Sequence, residues 1–238
     1  MSEAAVATVR RDAEQGQAIA ELRRTMVDRQ LRPYDVTDVP LLEQFLSIPR
    51  ELFLPASQSA LAYSDLAVTV KTAGGGRHNL LPPLVLARML QGGSPRPGDK
   101  ALVIGGAGYS AAVLSGLVGE IVALESDPEL IARAQAGLSA VGASNVRLEL
   151  GPLDKGFPEA APYDVIYVEG GVEAGLDSLF SQLSPGGRLL AIVSPENGAG
   201  QHVVRYERQD GQASGRVSLF SAAAPILEGF TKAPGFAF

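Results

Sequence analysis

From Gly98 to Ser194 the chain alternates short apolar runs with helix-forming stretches, and this alternation restricts the fold more than any other feature. KALVIG, EIVALES, NVRLELG, YDVIYVEG and GRLLAIVS have strand length and strand composition; YSAAVLSGL, DPELIARAQAGLSAVG and LDSLFSQL between them repeat apolar residues at helical spacing. Strands joined through helices pair in parallel, with right-handed crossovers that cover the sheet faces. After Ser194 the pattern changes. HVVRYER and GRVSLFS alternate in polarity around the turn-forming QDGQAS, as an antiparallel hairpin does. The expected fold is α/β, a Rossmann-like sheet of five parallel strands with an antiparallel pair near Val203–Tyr206 and Arg216–Phe220 at one edge.

The first hundred residues read differently. A helical pattern spans Ala13 to Leu31 through Ile19, Leu22 and Met26 until Pro33 stops it, and the residues before Ala13 are expected to fray. A second helix fits Val39 to Ile48 behind Asp38 as N-cap. A short strand at Leu66–Val70, the turn-rich TAGGGRHN, and a helix in LPPLVLARMLQGG lead into the α/β part. This gives residues 1–97 as a helical extension carrying a loop and residues 98–238 as the Rossmann-like domain, in one integrated globular unit. The aromatics Phe230, Phe236 and Phe238 of the tail are expected to pack on the body.

Composition removes several functions. With 26 acidic against 20 basic residues the formal charge is -6, the wrong sign for neutralising phosphates, so no nucleic-acid partner is expected. There are no cysteines and two histidines, which leaves no thiolate metal site and no expected metal. No run of eighteen apolar residues and no secretory leader are visible, so the expectation is a cytoplasmic protein without a membrane partner.

ALVIGGAGYS, residues 101–110, is a strand breaking into glycines before a helix. GAGYSA at 106–111 satisfies the dinucleotide form G-x-G-x-x-A, and Glu125 follows at the distance of a ribose-binding acid. Such a turn brings backbone N–H groups to an anionic pyrophosphate, which makes a nicotinamide cofactor one reading. S-adenosylmethionine uses the same crevice without needing a phosphate site, its sugar held by an acid at the end of the second strand. The long helical lead-in and the closing hairpin favour the methyl donor. The bland alternatives are a plain strand-to-helix connection, and Glu125 as a solvated charge or helix cap.

RRTMVDRQLRPYDVTD, IPRELFLP, the AY of ALAYSD, LPPLVLARMLQ, IGGAGYSAAVL, APYDVIYVEGG and QLSPGGRLLAIV occur here in that order. Together they resemble the protein-L-isoaspartate O-methyltransferases, over about Leu22 to Pro195; the ending GFTKAPGFAF is similar to a divergent bacterial branch of that family. The resemblance implies a class I methyltransferase sheet, S-adenosylmethionine as cofactor, methyl transfer to a protein or peptide carboxylate, and a role in damaged-protein repair. It implies a cofactor site of Gly105, Gly106, Gly108, Tyr109, Glu125, Ser126, Pro152, Leu153 and Glu169.

The chain also departs from the family. Val103 stands where strand one carries an acid, the glycine loop is one residue shorter, and Pro152 and Leu153 replace an acid beside the adenine. R-H-N-L-L-P-P replaces G-Q-T-I-S-Q-P at the acceptor segment, so Leu81 occupies the hydroxyl position and Arg77, His78 and Asn79 are the candidate catalytic residues. Arg77 has the planar fork that fits a carboxylate. His78 titrates near neutrality, although a loop histidine also serves as an exposed or turn-stabilising residue. Without a hydroxyl at Leu81, transfer to isoaspartyl peptides is expected to be slow. Two alternatives stand beside the methyltransferase: a degenerate, non-catalytic scaffold of the same family, and a nicotinamide-dependent oxidoreductase.

Overall fold

The computed structural model describes residues 3–74, 76–195, 200–209 and 212–232. Helix α1 (Glu3–Met26) begins earlier than the sequence pattern suggests, since AAVATVRRDAEQ is rich in strong helix formers. It widens into a π-helical turn at Val27–Leu31 and ends in a 3-10 turn at Arg32–Tyr34, where Pro33 withholds a backbone donor. In α2 (Val39–Ser47) the Asp38 side chain accepts from the Leu41 N–H at 3.0 Å, the expected cap. A 3-10 turn at Arg50–Phe53 follows.

TAGGGRHN is not only a turn. β1 (Val68–Lys71) pairs antiparallel with β2 (Arg77–Leu80), from Val68 opposite Leu80 to Lys71 opposite Arg77. The polar RHN lacks β propensity; cross-strand pairing supplies the preference, including a Thr69 hydroxyl that donates to Asn79 Oδ1 at 2.6 Å. Helix α3 (Pro83–Gly92) then delivers the chain to the main sheet.

That sheet contains β3 (Lys100–Ile104), β4 (Glu120–Glu125), β5 (Val146–Leu150), β6 (Tyr163–Val172), β7 (Leu183–Val193), β8 (His202–Gln209) and β9 (Gln212–Ser221). The strand order is 5-4-3-6-7-8-9, parallel through β7 and antiparallel for β8 and β9, as the pattern change after Ser194 requires. The crossovers contain α4 (Tyr109–Leu114), α5 (Pro128–Val141) and α6 (Asp177–Phe180), the first and last shorter than their apolar patterns suggest.

Alternate residues of each strand build different cores. Ala101, Val103, Val165 and Tyr167 face a layer that includes Met26, Leu31, Phe45, Phe53 and α3, so the N-terminal helices share a core with the sheet. Leu102, Ile104, Ile166 and Val168 face Leu179, Leu183 and Phe230. Phe230 is packed as expected, whereas Phe236 and Phe238 lie outside the described residues. Arg188 ties α3 to the sheet by donating to Ser94 O at 2.7 Å and pairing with Asp99 at 2.5 Å. Among the described residues no helix is long and apolar enough to cross a membrane, and no group of three or more His, Cys, Asp or Glu is placed to hold a metal.

Candidate active site

The chain runs outward from β3 to β4 and β5, then returns to lay β6 on the other side of β3. A crevice opens outside the carboxyl ends of strands at such a reversal, and the glycine turn lies there. Gly105, Gly106, Ala107 and Gly108 all have positive φ, between 51° and 85°. The first glycines serve close approach: a Cβ at Gly105 would touch Glu169 O and Leu227 at 3.8 Å, and a side chain at Gly106 would run into the Glu169 carboxyl. Gly108 does something else, bringing the turn against Ala134 of α5 and Phe53.

Glu125, the last residue of β4, is 1% exposed. Its Oε1 accepts from the Ala107 N–H at 2.6 Å and its Oε2 has no hydrogen-bond partner. Burial pushes this carboxyl up to about 7, with the Ala107 hydrogen bond opposing the shift. The N–H that a pyrophosphate would need is therefore already engaged by an acid, which argues against the dinucleotide reading.

Glu169 owes its position to a bulge in β6. Val168 pairs with Ala191 and Gly171 with the next residue, Ile192, so Glu169 and Gly170 are extra. Bulges re-aim side chains beside active sites, and this one sends Glu169 over Gly106. Burial pushes its carboxyl up to about 8; the Ser110 hydroxyl opposes the shift and the Glu125 charge adds to it.

Arg50, which sequence reasoning passed over as part of a turn, is 0% exposed. Its Nη2 donates to the Leu81 carbonyl at 2.7 Å, and its guanidinium carbon lies 4.8 Å from the centre of the Tyr109 ring. Tyr109 turns away from the crevice into the N-terminal layer, edge-on to Phe53 at 5.7 Å and Phe45 at 6.2 Å. Burial pushes its hydroxyl up, and the field of the guanidinium opposes that shift.

The β1–β2 hairpin covers this region. Ala73 N–H donates to Glu129 Oε2 at 2.9 Å, and the Thr72 hydroxyl beside Asp127 holds that acid below its usual range. His78 is buried rather than exposed, its Nδ1 3.5 Å from Glu125 Oε2. Burial lowers the imidazole pKa despite the charges of Asp127 and Glu228, so at neutral pH the contact involves a neutral ring, too distant for a hydrogen bond. Asn79 braces the hairpin through Thr69. Beside Glu125 lies a cavity of about 420 Å³ lined by Ser126, Gly151, Pro152, Leu153, Asp154, Glu228 and Gly229. Ser126 Oγ is buried without a partner at its edge.

Thus Gly105, Gly106, Glu125, Ser126, Pro152, Leu153 and Glu169 converge on one crevice, while Gly108 and Tyr109 support it from behind. The family described as Protein-L-isoaspartate(D-aspartate) O-methyltransferase (PCMT) matches residues 23–224. The chain belongs to this family. Among its relatives, the Protein-L-isoaspartate O-methyltransferase of Methylorubrum populi is 35% identical over 213 residues, covering 87% of this chain and 95% of the relative. That of Aromatoleum aromaticum is 36% identical over 223 residues, covering 92% and 98%. A solved protein-L-isoaspartate O-methyltransferase superposes with a TM-score of 0.77 at 27% identity, covering 87% of this chain and 66% of the longer solved one. As a PCMT member the chain is a class I, S-adenosylmethionine-dependent methyltransferase. Of the positions that depart from the resemblance, Val103 is buried in the core, and Pro152 and Leu153 line the cavity. Leu81 offers Arg50 its carbonyl rather than its side chain.

Proposed function

We propose that the chain transfers a methyl group from S-adenosylmethionine to a carboxylate of a protein or peptide in the cytoplasm, with the crevice between β3, β4 and β6 as the site. The observation that carries this reading is the pair of orphaned buried acceptors, Glu125 Oε2 and Ser126 Oγ, next to a cavity of about 420 Å³. They fit ribose hydroxyls, while Pro152 and Leu153 offer an adenine ring apolar surface. Gly105 and Gly106 let the backbone pass close to the amino-acid end. When bound, the cofactor supplies an electrophilic methyl group on a sulfonium.

A carboxylate acceptor is ionised at neutral pH, so the protein needs no general base. Its residues act by exclusion of water and by alignment, effects worth roughly 7 to 11 kcal/mol of barrier. The strand Arg77–His78–Asn79 leads into Leu81 and covers the transfer point, with His78 over Glu125 and Asn79 bracing the hairpin. Glu169, protonated at neutral pH, faces the crevice without repelling an anionic acceptor.

Calorimetric titration with S-adenosylhomocysteine and with NAD, followed by transfer of labelled methyl groups to peptide carboxylates, tests the reading. Binding of S-adenosylhomocysteine alone, with transfer, is the expected result. Heat with NAD instead would sink it, and binding without transfer to any protein or peptide would leave the non-catalytic scaffold.

A further inference from the structure

We infer that Arg50 is the residue that receives the acceptor's carboxylate, in a cationic site beneath the hairpin at the transfer point. Arg50 has no exposed surface, and its Nε and Nη1 are buried without a hydrogen-bond partner. Its one hydrogen bond runs to the carbonyl of Leu81, the residue aligned with the family's acceptor-site hydroxyl, and its other close neighbour is the face of Tyr109. Among the described residues it makes no ion pair.

A buried cation of this kind is costly, because desolvation of a charge is offset only by a partner of opposite sign. Glu169 is the acid whose charge reaches it, and that carboxyl is itself pushed up to about 8 by burial, so at neutral pH it is largely protonated. Burial lowers the guanidinium's pKa, and with Glu169 neutral it has no counter-ion among the described residues. Its planar, fixed donors match the two oxygens of a carboxylate better than they match any neutral group.

The same geometry distinguishes substrate from product. Methyl transfer forms a carbon–oxygen bond as the carbon–sulfur bond breaks and its electron pair stays on sulfur; an anion and a sulfonium become a neutral ester and a neutral thioether. No proton moves. Arg50 attracts the anion and not the ester, which favours product release. Access requires the β1–β2 hairpin, held at Ala73–Glu129 and against Glu125, to lift.

This inference rests on the methyl-transfer reading, and the experiment separates the two. The full chain, R50K and R50M are each titrated with S-adenosylhomocysteine, then, with that ligand saturating, with an isoaspartyl peptide and with the same peptide amidated at the acceptor carboxylate. Denaturant unfolding monitors the fold of each variant. The wild type is expected to prefer the carboxylate peptide about tenfold or more, R50K to reduce the preference, and R50M to abolish it, with S-adenosylhomocysteine affinity held within about twofold. A wild type that ignores the amidation, or a preference that survives in R50K and R50M, overturns the inference. So does a large loss of S-adenosylhomocysteine affinity with the peptide preference intact, which would give the guanidinium to the donor's own carboxylate. If R50M does not fold, the wild-type and R50K preferences decide. Failure of the wild type to bind S-adenosylhomocysteine removes the methyl-transfer reading itself.

Discussion

The two halves of the crevice are built on opposite plans. On the side of Ser126, Pro152 and Leu153 a cavity stands open; on the side of Arg50, His78 and Glu169 side chains fill the space, and both sides hold unmatched buried polar atoms, with those of the first side, Glu125 Oε2 and Ser126 Oγ, lying beside the open cavity. An open apolar pocket binds by desolvating what enters it and needs little rearrangement. A filled polar one holds its groups at a cost, because unpaired buried polar atoms are destabilising, and that cost is relieved only when a ligand arrives. On the proposed function, the donor half offers its ligand an open cavity, and the acceptor half makes room as its ligand arrives.

The contrast can be broken most forcefully at Gly106. In G106A a new methyl group meets the Glu169 carboxyl at a backbone position with φ of 84°, and a stability loss of about 2–4 kcal/mol is expected in urea unfolding. A neutral result would mean the filled half has slack. E125A is expected to weaken S-adenosylhomocysteine by about 1.5–3 kcal/mol in calorimetry, and unchanged affinity would remove Glu125 from the donor half.

The two halves share a pH signature. Glu125 and Glu169 have folded pKa values raised to about 7 and about 8, so their burial is tolerated fully only while the carboxyls are protonated. The native state then binds more protons than the unfolded one between the ordinary glutamate pKa and these values, and stability falls as pH rises through that window. The slope is up to about 1.4 kcal/mol per pH unit for each group. E169Q should flatten the upper part of the fall, as read from denaturation midpoints at pH 5 to 9; an unchanged slope would assign it elsewhere. The smallest effect is expected at His78, where a neutral ring 3.5 Å from Glu125 forms no hydrogen bond. H78A should shift stability by less than about 1 kcal/mol, and a loss above about 2 would reveal a true bond there.

The donor half was also the half that could be read from sequence. Five apolar runs define the parallel strands, and a glycine turn with an acid at the next strand end are local signals. Gly105, Gly106, Glu125, Ser126, Pro152 and Leu153 do meet in the crevice. The acceptor half depends on information that sequence order hides. The inward aim of Glu169 comes from a two-residue slip between β6 and β7, and register is a property of pairing, not of a single strand. Arg50 sits in a short surface-like turn and is buried only because the N-terminal layer folds over α4. β2 is missed because its strand state depends on a partner. Arg77, favoured for its charge, lies on that strand, while the buried guanidinium beside Leu81 belongs to Arg50.

The cavity's far wall has a different history from the rest of the site. Glu228 and Gly229 reach it because the segment before them is stitched to the end of β6: Gly171 N–H donates to Pro225 O at 2.8 Å, Leu227 N–H returns to Gly171 O at 3.0 Å, and Glu173 N–H donates to Phe230 O at 3.0 Å. On the ribosome, the parallel strands and the glycine turn emerge well before this segment, and folding proceeds from the N-terminal side as the chain appears. A chain interrupted before Pro225 would possess the turn, Glu125 and the bulge but only part of the cavity's wall. The cavity's wall is therefore completed late in synthesis.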